Sequence, residues 1–241
     1  MIDLHCHFLP GIDDGAKTVE EGLQLAAAAV ADGIETIVAT PHVHLGRYNN
    51  TRSTIVAEVQ SFRGHLARNG IALDVRAGGE VRFSEDIIDL VQRDEIPFLG
   101  VSGGYRILLL EFPHSHVPVG ADKLVSWLIA RRIRPLIAHP ERNKDVMHNL
   151  DKIRPFVQMG CLLQVTAGSL VGRFGEPACT RARQMLEQGM ISVLATDAHN
   201  MEHRPPELAA GRKAAEQIVG EQPAWDLVRG KPAELLGMEV R

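Results

Sequence analysis

Short runs of β-forming residues alternate with longer helical patterns along the whole chain, and this alternation constrains the fold more than any other feature. Several of the runs are almost continuous in Ile, Val and Leu, which is typical of strands covered on both faces. The runs span residues 2–5, 35–39, 72–77, 107–111, 135–138, 162–165 and 192–195. Strands separated by helices form βαβ units around a parallel sheet, so the sequence predicts an α/β barrel.

Helical periodicity fills the intervals between these runs. The first predicted helix covers residues 19–31, where Thr18 and Glu21 make a capping-box pattern and Gly33 would end the helix. The other predicted helices cover residues 54–67, 85–92, 121–131, 150–159, 179–187 and 206–219. The chain has 241 residues and no linker rich in Pro, Gly or Ser, so we expect a single domain over residues 1–241.

Composition argues against several classes of protein. The net charge is -4 and the sequence has no Lys/Arg block, which argues against a nucleic-acid or anionic-membrane surface. The apolar run over residues 25–31 is far shorter than the roughly 20 residues of a membrane span. The start Met1-Ile-Asp-Leu-His5 lacks the features of a secretory signal. Three widely separated cysteines argue against a disulfide framework, so we expect a cytoplasmic protein.

Histidine and acidic residues recur where the predicted strands end. His5 and His7 close the first run as His-Cys-His, and alternate residues of an extended segment project to the same side. The later members of this pattern are His42, Glu80, Glu111, His139, Asp197 and His199. In barrels of this kind the C-terminal strand ends converge on one face, where active sites are built. Each residue alone has an ordinary structural explanation, but the joint pattern predicts a metal site.

The chemistry of these candidate ligands narrows the choice of metal and reaction. Imidazole and carboxylate ligation without thiolate suits Mn²⁺, Fe²⁺ or Zn²⁺. The ligands exceed the needs of one ion, so a cluster of two or three ions is expected. Such clusters generate a hydroxide nucleophile and hold a phosphate between positive charges, which predicts a metal-dependent phosphohydrolase. A cysteine mechanism is not expected, because no cysteine is followed six positions later by arginine.

Further charged residues near the strand ends are candidates for contacts with the substrate. Arg142 and Arg204 follow the fifth and seventh strands, and a guanidinium binds phosphate oxygens bidentately and offsets charge that develops during transfer. Asp13 and Asp14 follow the first strand, either as part of a turn or as an additional metal ligand or proton donor. Candidates for the rim of the site are His44, Arg47, His114 and His116.

Several segments together carry a family resemblance. They are Asp3-Leu-His-Cys-His7, Pro10-Gly-Ile-Asp-Asp-Gly15, Thr40-Pro-His42, Gly79-Glu80, Leu110-Glu111-Phe-Pro113, Ala138-His-Pro-Glu-Arg-Asn143 and Thr196-Asp-Ala-His199 with Arg204-Pro-Pro206. In these segments the chain resembles the PHP (polymerase and histidinol phosphatase) superfamily, and within it the bacterial tyrosine-protein phosphatase branch of capsule and exopolysaccharide operons. The similarity spans nearly the whole chain.

The resemblance implies a distorted (β/α)₇ barrel with three catalytic divalent metals, for which Mn²⁺ is the expected ion. It implies hydrolysis of phosphotyrosine on an autophosphorylating tyrosine kinase that controls polysaccharide polymerisation. The implied ligands are His5, His7, Glu80 and Asp197 for one ion, Glu80, Glu111 and His139 for a second, and His42 with His199 for a third. Asp14 would assist the third ion, although Asp13 is close enough to leave that choice open. Arg142 and Arg204 would lie near the substrate phosphate.

Other functions remain open at this point. A histidinol-phosphate or other small phosphomonoester hydrolase of the same superfamily would use the same chemistry. A non-catalytic scaffold for a polysaccharide-assembly kinase would keep metals for structure alone, although structural sites normally saturate their metal with protein ligands. The loop after His42, Val43-His-Leu-Gly-Arg-Tyr-Asn-Asn50, has no confident match to the family. Relatives also oligomerise through their first helices, and Val19-Glu-Glu-Gly22 is compatible with a homo-oligomer.

Overall fold

The computed structural model describes residues 1–238, and each of the seven predicted runs contains a strand. The strands are β1 (Ile2–Cys6), β2 (Thr36–Ala39), β3 (His42–Val43), β4 (Asp74–Ala77), β5 (Glu80–Arg82), β6 (Gly100–Ser102), β7 (Tyr105–Glu111), β8 (Ile133–Ala138), β9 (Leu162–Thr166) and β10 (Val193–Ala195). Three short strands, β3, β5 and β6, lie outside the predicted runs. The last residues of the predicted domain, 239–241, lie outside the described residues.

Helices follow most of these strands, as the alternation predicts. They are α1 (Val19–Ala31), α2 (Arg52–Arg68), α3 (Asp86–Gln92), α4 (Ala121–Ile129), α5 (Lys144–His148), α6 (Arg154–Gln158), α7 (Ala167–Leu170), α8 (Glu176–Glu187), α9 (Leu208–Val219), α10 (Glu221–Trp225) and α11 (Lys231–Leu236). A π-helical segment, Asp226–Gly230, joins the last two.

The parallel strands form a ring. β1, β2 and β4 pair in one sheet, and β10, β9, β8, β7, β5 and β3 pair in that order in a second sheet. Two backbone hydrogen bonds continue the pairing of β2 with β4 into the pairing of β3 with β5. Gly78 N–H donates to Ala39 O at 2.9 Å, and Glu80 N–H donates to Pro41 O at 3.1 Å. The two sheets therefore share interrupted strands, and the architecture is the expected distorted (β/α)₇ barrel.

The ring closes between the first and last strands. The N–H of His7 donates to Ala198 O at 2.7 Å, and the N–H of Asp197 donates to His5 O at 2.8 Å. Cys6 and Ala198 form an isolated parallel bridge at the same place. Closure thus depends on residues that belong to the predicted metal site.

Side-chain alternation in β7 separates the interior of the barrel from its outer layer. Ile107, Leu109 and Glu111 share one face of the strand because side chains repeat every two residues. Glu111 lines a cleft at the C-terminal end of the strand, so Ile107 and Leu109 fill the barrel beneath it. Leu235 and Leu236 of α11 join this inner cluster. The polar residues are thereby left at the other end of the barrel.

Most predicted elements have the expected extents, and the differences have local causes. Glu21 N–H donates to the Thr18 hydroxyl at 3.3 Å, as the capping pattern predicts, but the Glu21 carboxylate accepts from Lys17 N–H. The predicted helix over residues 150–159 is wrong in extent, because the chain forms a 3₁₀ turn and α6 there. Asn149 has an extended backbone, and its side chain accepts a hydrogen bond from Asp151 N–H. This cap marks the start of the 3₁₀ turn.

The structure also bears on membrane insertion and on the cysteines. Within residues 1–238, no helix combines the length and the apolar character that crossing a membrane requires. Cys6, Cys161 and Cys179 are buried and unpaired, in agreement with the expectation that the chain lacks a disulfide framework.

Candidate metal centre

Four donor atoms meet at the mouth of the barrel. The Nε2 atoms of His5 and His7 lie 3.1 Å apart. Oε2 of Glu80 lies 3.3 and 3.4 Å from these nitrogens, and Oδ1 of Asp197 lies 3.4 Å from each. Ligands about 2.1 Å from one ion are about 3.0 Å apart in an octahedron and about 3.4 Å apart in a tetrahedron. The two histidine nitrogens are therefore spaced as ligands of one cation with either carboxylate, and ligand atoms of His5, His7 and Glu80 all lie within 4.8 Å of one another.

Each imidazole of this pair is oriented by a hydrogen bond on its other nitrogen. Nδ1 of His5 donates to Oε1 of Gln164 at 2.9 Å, and Nδ1 of His7 donates to Oδ2 of Asp13 at 2.7 Å. Because a neutral imidazole carries one proton, these partners leave a lone pair on each Nε2. Hydrogen bonds of this kind fix the tautomer and orientation of metal-binding histidines. Asp13 thus contacts the ring of His7 and supports the first donor group.

A second donor group surrounds His42 and His199. Oδ1 of Asp14 lies 3.2 Å from Nε2 of His42 and 3.4 Å from Nε2 of His199. The ring of His7 stacks on that of His199 with their centroids 3.9 Å apart. Ligand atoms of His7, Asp14, His42 and His199 all lie within 4.8 Å of one another. Asp14, and not Asp13, therefore faces the ring nitrogens of the two histidines expected for the third ion.

Glu80 links these groups to a third one that contains Glu111. Oε1 of Glu80 accepts a hydrogen bond from Nε2 of His139 at 2.8 Å, and its Oε2 lies 2.9 Å from Nδ1 of His42. Ligand atoms of His42, Glu80 and Glu111 lie within 4.8 Å of one another. The structure thus brings all the predicted ligands into one region. It differs from the expectation in two respects: His42 reaches the group of Glu80 and Glu111 as well as that of Asp14, and His7 belongs to the group of Asp14 as well as to that of His5.

Unsatisfied polar atoms indicate that a ligand belongs at this place. Six buried side-chain atoms of the described residues have no hydrogen-bond partner, and two of them, Oε2 of Glu80 and Nε2 of His199, belong to the donor groups. Leaving such a group unpaired costs about 1–3 kcal/mol, and more when it is charged. A divalent cation would bind both atoms, and imidazole with carboxylate is a suitable donor set for Mn²⁺, Fe²⁺ or Zn²⁺. The residues present therefore fit a metal cluster.

The carboxylate of Asp197 faces two ways. Its Oδ1 lies beside the histidine pair, while its Oδ2 accepts hydrogen bonds from Arg142 and from Arg204, the latter at 3.0 Å. The guanidinium of Arg142 also packs over the ring of Phe174 at 4.3 Å. Both arginines line the cleft, and a guanidinium there can bind an anion through N–H groups that do not bond Asp197.

The crowding of charges shifts pKa values in opposite directions. Burial alone would lower the pKa of His42, but Glu80 and Asp14 outweigh burial and raise it to about 10. Burial and the charge of Arg142 lower the pKa of His139 to about 3. Burial and the charge of Glu80 raise the pKa of Glu111 to about 7. Protons and cations therefore compete for the same donors.

Two residues of the site have a left-handed backbone. The φ angle is 32° at His139 and 52° at Asp197. This conformation costs about 1–2 kcal/mol for a residue with a Cβ atom, and it persists where surrounding contacts enforce it. The N–H of Asp197 is held by His5 O, and the N–H of Arg142 is held by His139 O at 3.0 Å. At the site, this strain lies at the two strand ends that carry these ligands.

A cleft of about 370 Å³ opens onto the donor groups, and the members that line it are Asp14, His42, Glu80, Glu111, His139 and Asp197. The predicted rim residues His44, Arg47 and His114 line it, and the ring of His114 stacks on that of His139 with centroids 5.3 Å apart. His116, in contrast, is exposed and bonds the neighbouring Ser115 hydroxyl at 2.8 Å. Three of the four rim candidates therefore face the cleft.

Sequence reasoning missed three residues of this site. Arg82 lies 2.9 Å from the Glu111 carboxylate, and strand alternation two residues after Glu80 would have indicated it. Gln164 is buried in the middle of β9, where a polar residue in an apolar run was the available signal. Tyr48, in the loop without a family match, stacks on His42 with ring centroids 5.5 Å apart.

Comparison with known sequences agrees with this geometry. The family model described as capsular polysaccharide synthesis, CpsB/CapC, matches residues 1–237. Tyrosine-protein phosphatase YwqE of Bacillus subtilis is 37% identical over 205 residues, which cover 85% of this chain and 79% of that protein. The putative tyrosine-protein phosphatase CapC of Staphylococcus aureus is 33% identical with the same coverage.

Solved structures extend the comparison to the fold. One is from work on YwqE of Bacillus subtilis and CpsB of Streptococcus pneumoniae, described as unique metal-dependent tyrosine phosphatases. It matches with a TM-score of 0.91 and 32% identity, and covers 100% of this chain and 96% of its own. A phosphotriesterase homology protein from Escherichia coli, 15% identical, shares the fold alone, with a TM-score of 0.64 and 97% of each chain covered. The resemblance is confirmed, and the chain belongs to the CpsB/CapC family of capsular polysaccharide synthesis.

Proposed function

We propose that this chain is a metal-dependent protein-tyrosine phosphatase of capsule or exopolysaccharide synthesis. The proposal depends chiefly on one observation: two imidazole nitrogens 3.1 Å apart each lie 3.3–3.4 Å from two carboxylate oxygens, and these carboxylates line a cleft together with arginines. The relatives YwqE and CpsB, both named tyrosine-protein phosphatases, supply the substrate class. The proposed substrate is a phosphotyrosine protein, in particular an autophosphorylating tyrosine kinase.

The proposed ligand sets draw on the three donor groups. The group of Glu80 and Glu111 would hold the second ion, and the group of His42 and His199 would hold the third. The sets are His5, His7, Glu80 and Asp197 for the first ion, Glu80, Glu111 and His139 for the second, and His42, His199 and Asp14 for the third. His42 is also within reach of the second ion through Nδ1, 2.9 Å from Glu80. We propose Mn²⁺ as the ion, with Fe²⁺ and Zn²⁺ as alternatives of similar ligand preference.

Divalent ions at these positions would supply an activated water and positive charge on the phosphoryl oxygens. Arg142 and Arg204 each donate to a carboxylate oxygen of Asp197, and the N–H groups of these guanidiniums that do not bond Asp197 suit the equatorial oxygens of a phosphoryl group in transfer. Their contribution is to bind and orient the phosphate and to offset its developing charge.

Asp14 acts in this scheme as a ligand or a base. The neighbouring imidazoles of His199 and His42 hold the pKa of Asp14 below its usual range, so it is ionised at neutral pH and has no proton to donate. The leaving group therefore takes its proton from water. A phenolate, with a pKa of about 10, leaves without an acid more readily than an alkoxide does. This agrees with an aryl phosphate as substrate.

The proposal extends to location and assembly. The buried, unpaired cysteines suit a reducing compartment such as the cytoplasm. Glu20 and Glu21, in the first turn of α1, are exposed and available to a second copy of the chain in a homo-oligomer.

Activity on a phosphotyrosyl peptide tests the proposal directly. We expect exhaustive chelation to abolish hydrolysis and Mn²⁺, Fe²⁺ or Zn²⁺ to restore it. Full activity after metal removal would contradict the mechanism. Histidinol phosphate, assayed in parallel, would replace phosphotyrosine if its kcat/KM were much higher. Tight kinase binding without hydrolysis under any metal would support the scaffold instead.

A further inference from the structure

The loop between β3 and α2 forms a short hairpin at the cleft. The N–H of His44 donates to Tyr48 O at 3.0 Å, and the N–H of Tyr48 donates to His44 O at 2.7 Å. The largely buried side-chain amide of Asn50 donates to Ile12 O and to His42 O, both at 2.9 Å. The base of the hairpin is therefore tied to the two segments that carry the second donor group, and its position relative to that group is fixed.

The ring of Tyr48 is the aromatic surface that this hairpin presents. It stacks on the imidazole of His42 with an angle of 17° between the planes, and the guanidinium carbon of Arg47 lies 5.1 Å from its centroid. Among the described residues that line the cleft, Tyr48 has the one carbocyclic ring, while the others are charged, imidazole or hydroxyl side chains. An apolar substituent in the cleft thus has Tyr48 as its main large apolar contact.

We infer that Tyr48 determines the specificity of the site for aryl over alkyl phosphates. This rests on the proposed function, since it assumes that the phosphoryl group binds at the donor groups. A phosphate held beside His42 has its ester substituent next to the ring stacked on His42. Aromatic rings attract each other in offset or edge-to-face pairs with centroids 4.5–7 Å apart, a contact that an alkyl group does not make. The exposed guanidinium of Arg47 can add a cation–π contact to the same substituent.

Phosphonates separate recognition from catalysis, because their P–C bond is not hydrolysed as a phosphate ester is. Calorimetry on the Mn²⁺-loaded protein would measure the affinities for phenylphosphonate and methylphosphonate. We expect the wild type to prefer the phenyl compound about tenfold and Tyr48→Leu to prefer it about twofold or less. Tyr48→Phe should keep the preference. Methylphosphonate affinity and metal content should stay unchanged in both variants.

Tyr105→Leu is the matched control, because the chain has two tyrosines and Tyr105 begins β7 at the opposite end of the barrel. An unchanged preference in Tyr48→Leu would overturn the inference. So would an equal loss of both affinities or a loss of metal, since Tyr48 would then merely support His42. Hydrolysis of a phosphotyrosyl peptide, measured separately, tests the proposed function. Hydrolysis with an unchanged preference refutes the inference alone, and a Tyr48-dependent preference without hydrolysis refutes the proposed function alone.

Discussion

Asp13 accepts a 2.7 Å hydrogen bond from Nδ1 of His7, and this bond turns Nε2 of His7 toward His5, Glu80 and Asp197. The carboxylate of Asp13 also accepts from the backbone N–H groups of Gly15 and His42. One buried carboxylate therefore sets the positions of a ring nitrogen and of two backbone segments at the site.

Asp13→Ala should weaken metal binding because it frees the ring of His7. Partners of this kind typically contribute 10–100-fold to metal affinity, so we expect a loss of about that size in a Mn²⁺ titration. Asp13→Asn retains an acceptor oxygen and should lose less. Equal affinities in the wild type and Asp13→Ala would show that His7 needs no such support.

Arg142→Ala and Arg204→Ala should each lower kcat/KM on a phosphotyrosyl peptide by about 10²–10³, because a donor to the developing charge is lost. Lysine should not restore the rate, since it lacks the bidentate geometry of arginine. Arg93→Ala is the control, as Arg93 forms an exposed pair with Asp89 in the helix α3 region. Wild-type rates in both cleft variants would remove these arginines from the mechanism.

Because the backbone at His139 is left-handed, substitutions there should affect stability and catalytic activity differently. His139→Ala and His139→Gly should both lose several orders of magnitude in turnover. In the metal-free state, however, His139→Gly should be more stable than His139→Ala by about 1 kcal/mol, because glycine tolerates a φ of 32°. Thermal unfolding in chelator measures the difference. A more stable alanine variant would show that the backbone there is not strained.

The metal-free protein should lose stability as the pH rises above 7. The pKa of His42 is raised from 6.5 to about 10, so the protonated form favours folding below pH 6.5 and this stabilisation is lost as pH approaches 10. The pKa values of His5 and His7 are also raised, because nearby carboxylates outweigh burial, and they act in the same direction. Bound metal should reverse the trend, since it needs deprotonated ligands. Denaturant unfolding at pH 7–10, with and without Mn²⁺, measures both slopes, and parallel slopes would contradict the expectation.

Gly15→Ala should disrupt the site through backbone contact alone. A Cβ atom at Gly15 would lie 1.8 Å from the carbonyl oxygen of His7, so the segment that carries Asp13 and Asp14 must move. We expect strongly reduced metal binding and activity. Gly64→Ala is the matched control in α2, where a Cβ meets the end of the Arg68 side chain at 3.5 Å and should stabilise the helix by about 0.4–1 kcal/mol. Normal metal binding by Gly15→Ala would show that the loop adapts.

Local patterns were enough to predict the barrel and most of its site. The strand runs are short and rich in Ile, Val and Leu, so their pattern predicted the strands. The candidate ligands follow these strands directly, so their positions in the sequence predicted most of the candidate site. These patterns did not predict the breaks at Thr40-Pro41 and Gly78-Gly79, where pairing passes from one sheet to the other. These breaks depend on close packing: a Cβ on Gly79 would lie 2.4 Å from Pro97, which is distant in sequence.

The residues that sequence reasoning missed act through contacts between distant segments. Gln164 is 159 residues away from His5, whose ring it orients, and its polar side chain in an apolar strand does not by itself identify this distant partner. The choice between Asp13 and Asp14 likewise depended on the path of the chain after β1. Adjacent in sequence, the two carboxylates serve different donor groups because their side chains point to different histidines.

The closure of the barrel has a consequence for how the molecule opens. His5 and His7 come from the first strand and Asp197 from the last, and the backbone joins these strands through few hydrogen bonds. A cation bound by all three side chains would hold the first and last strands of the barrel together. Amide exchange at this seam would then report metal occupancy, and loss of the ion would loosen the barrel at its own active site first.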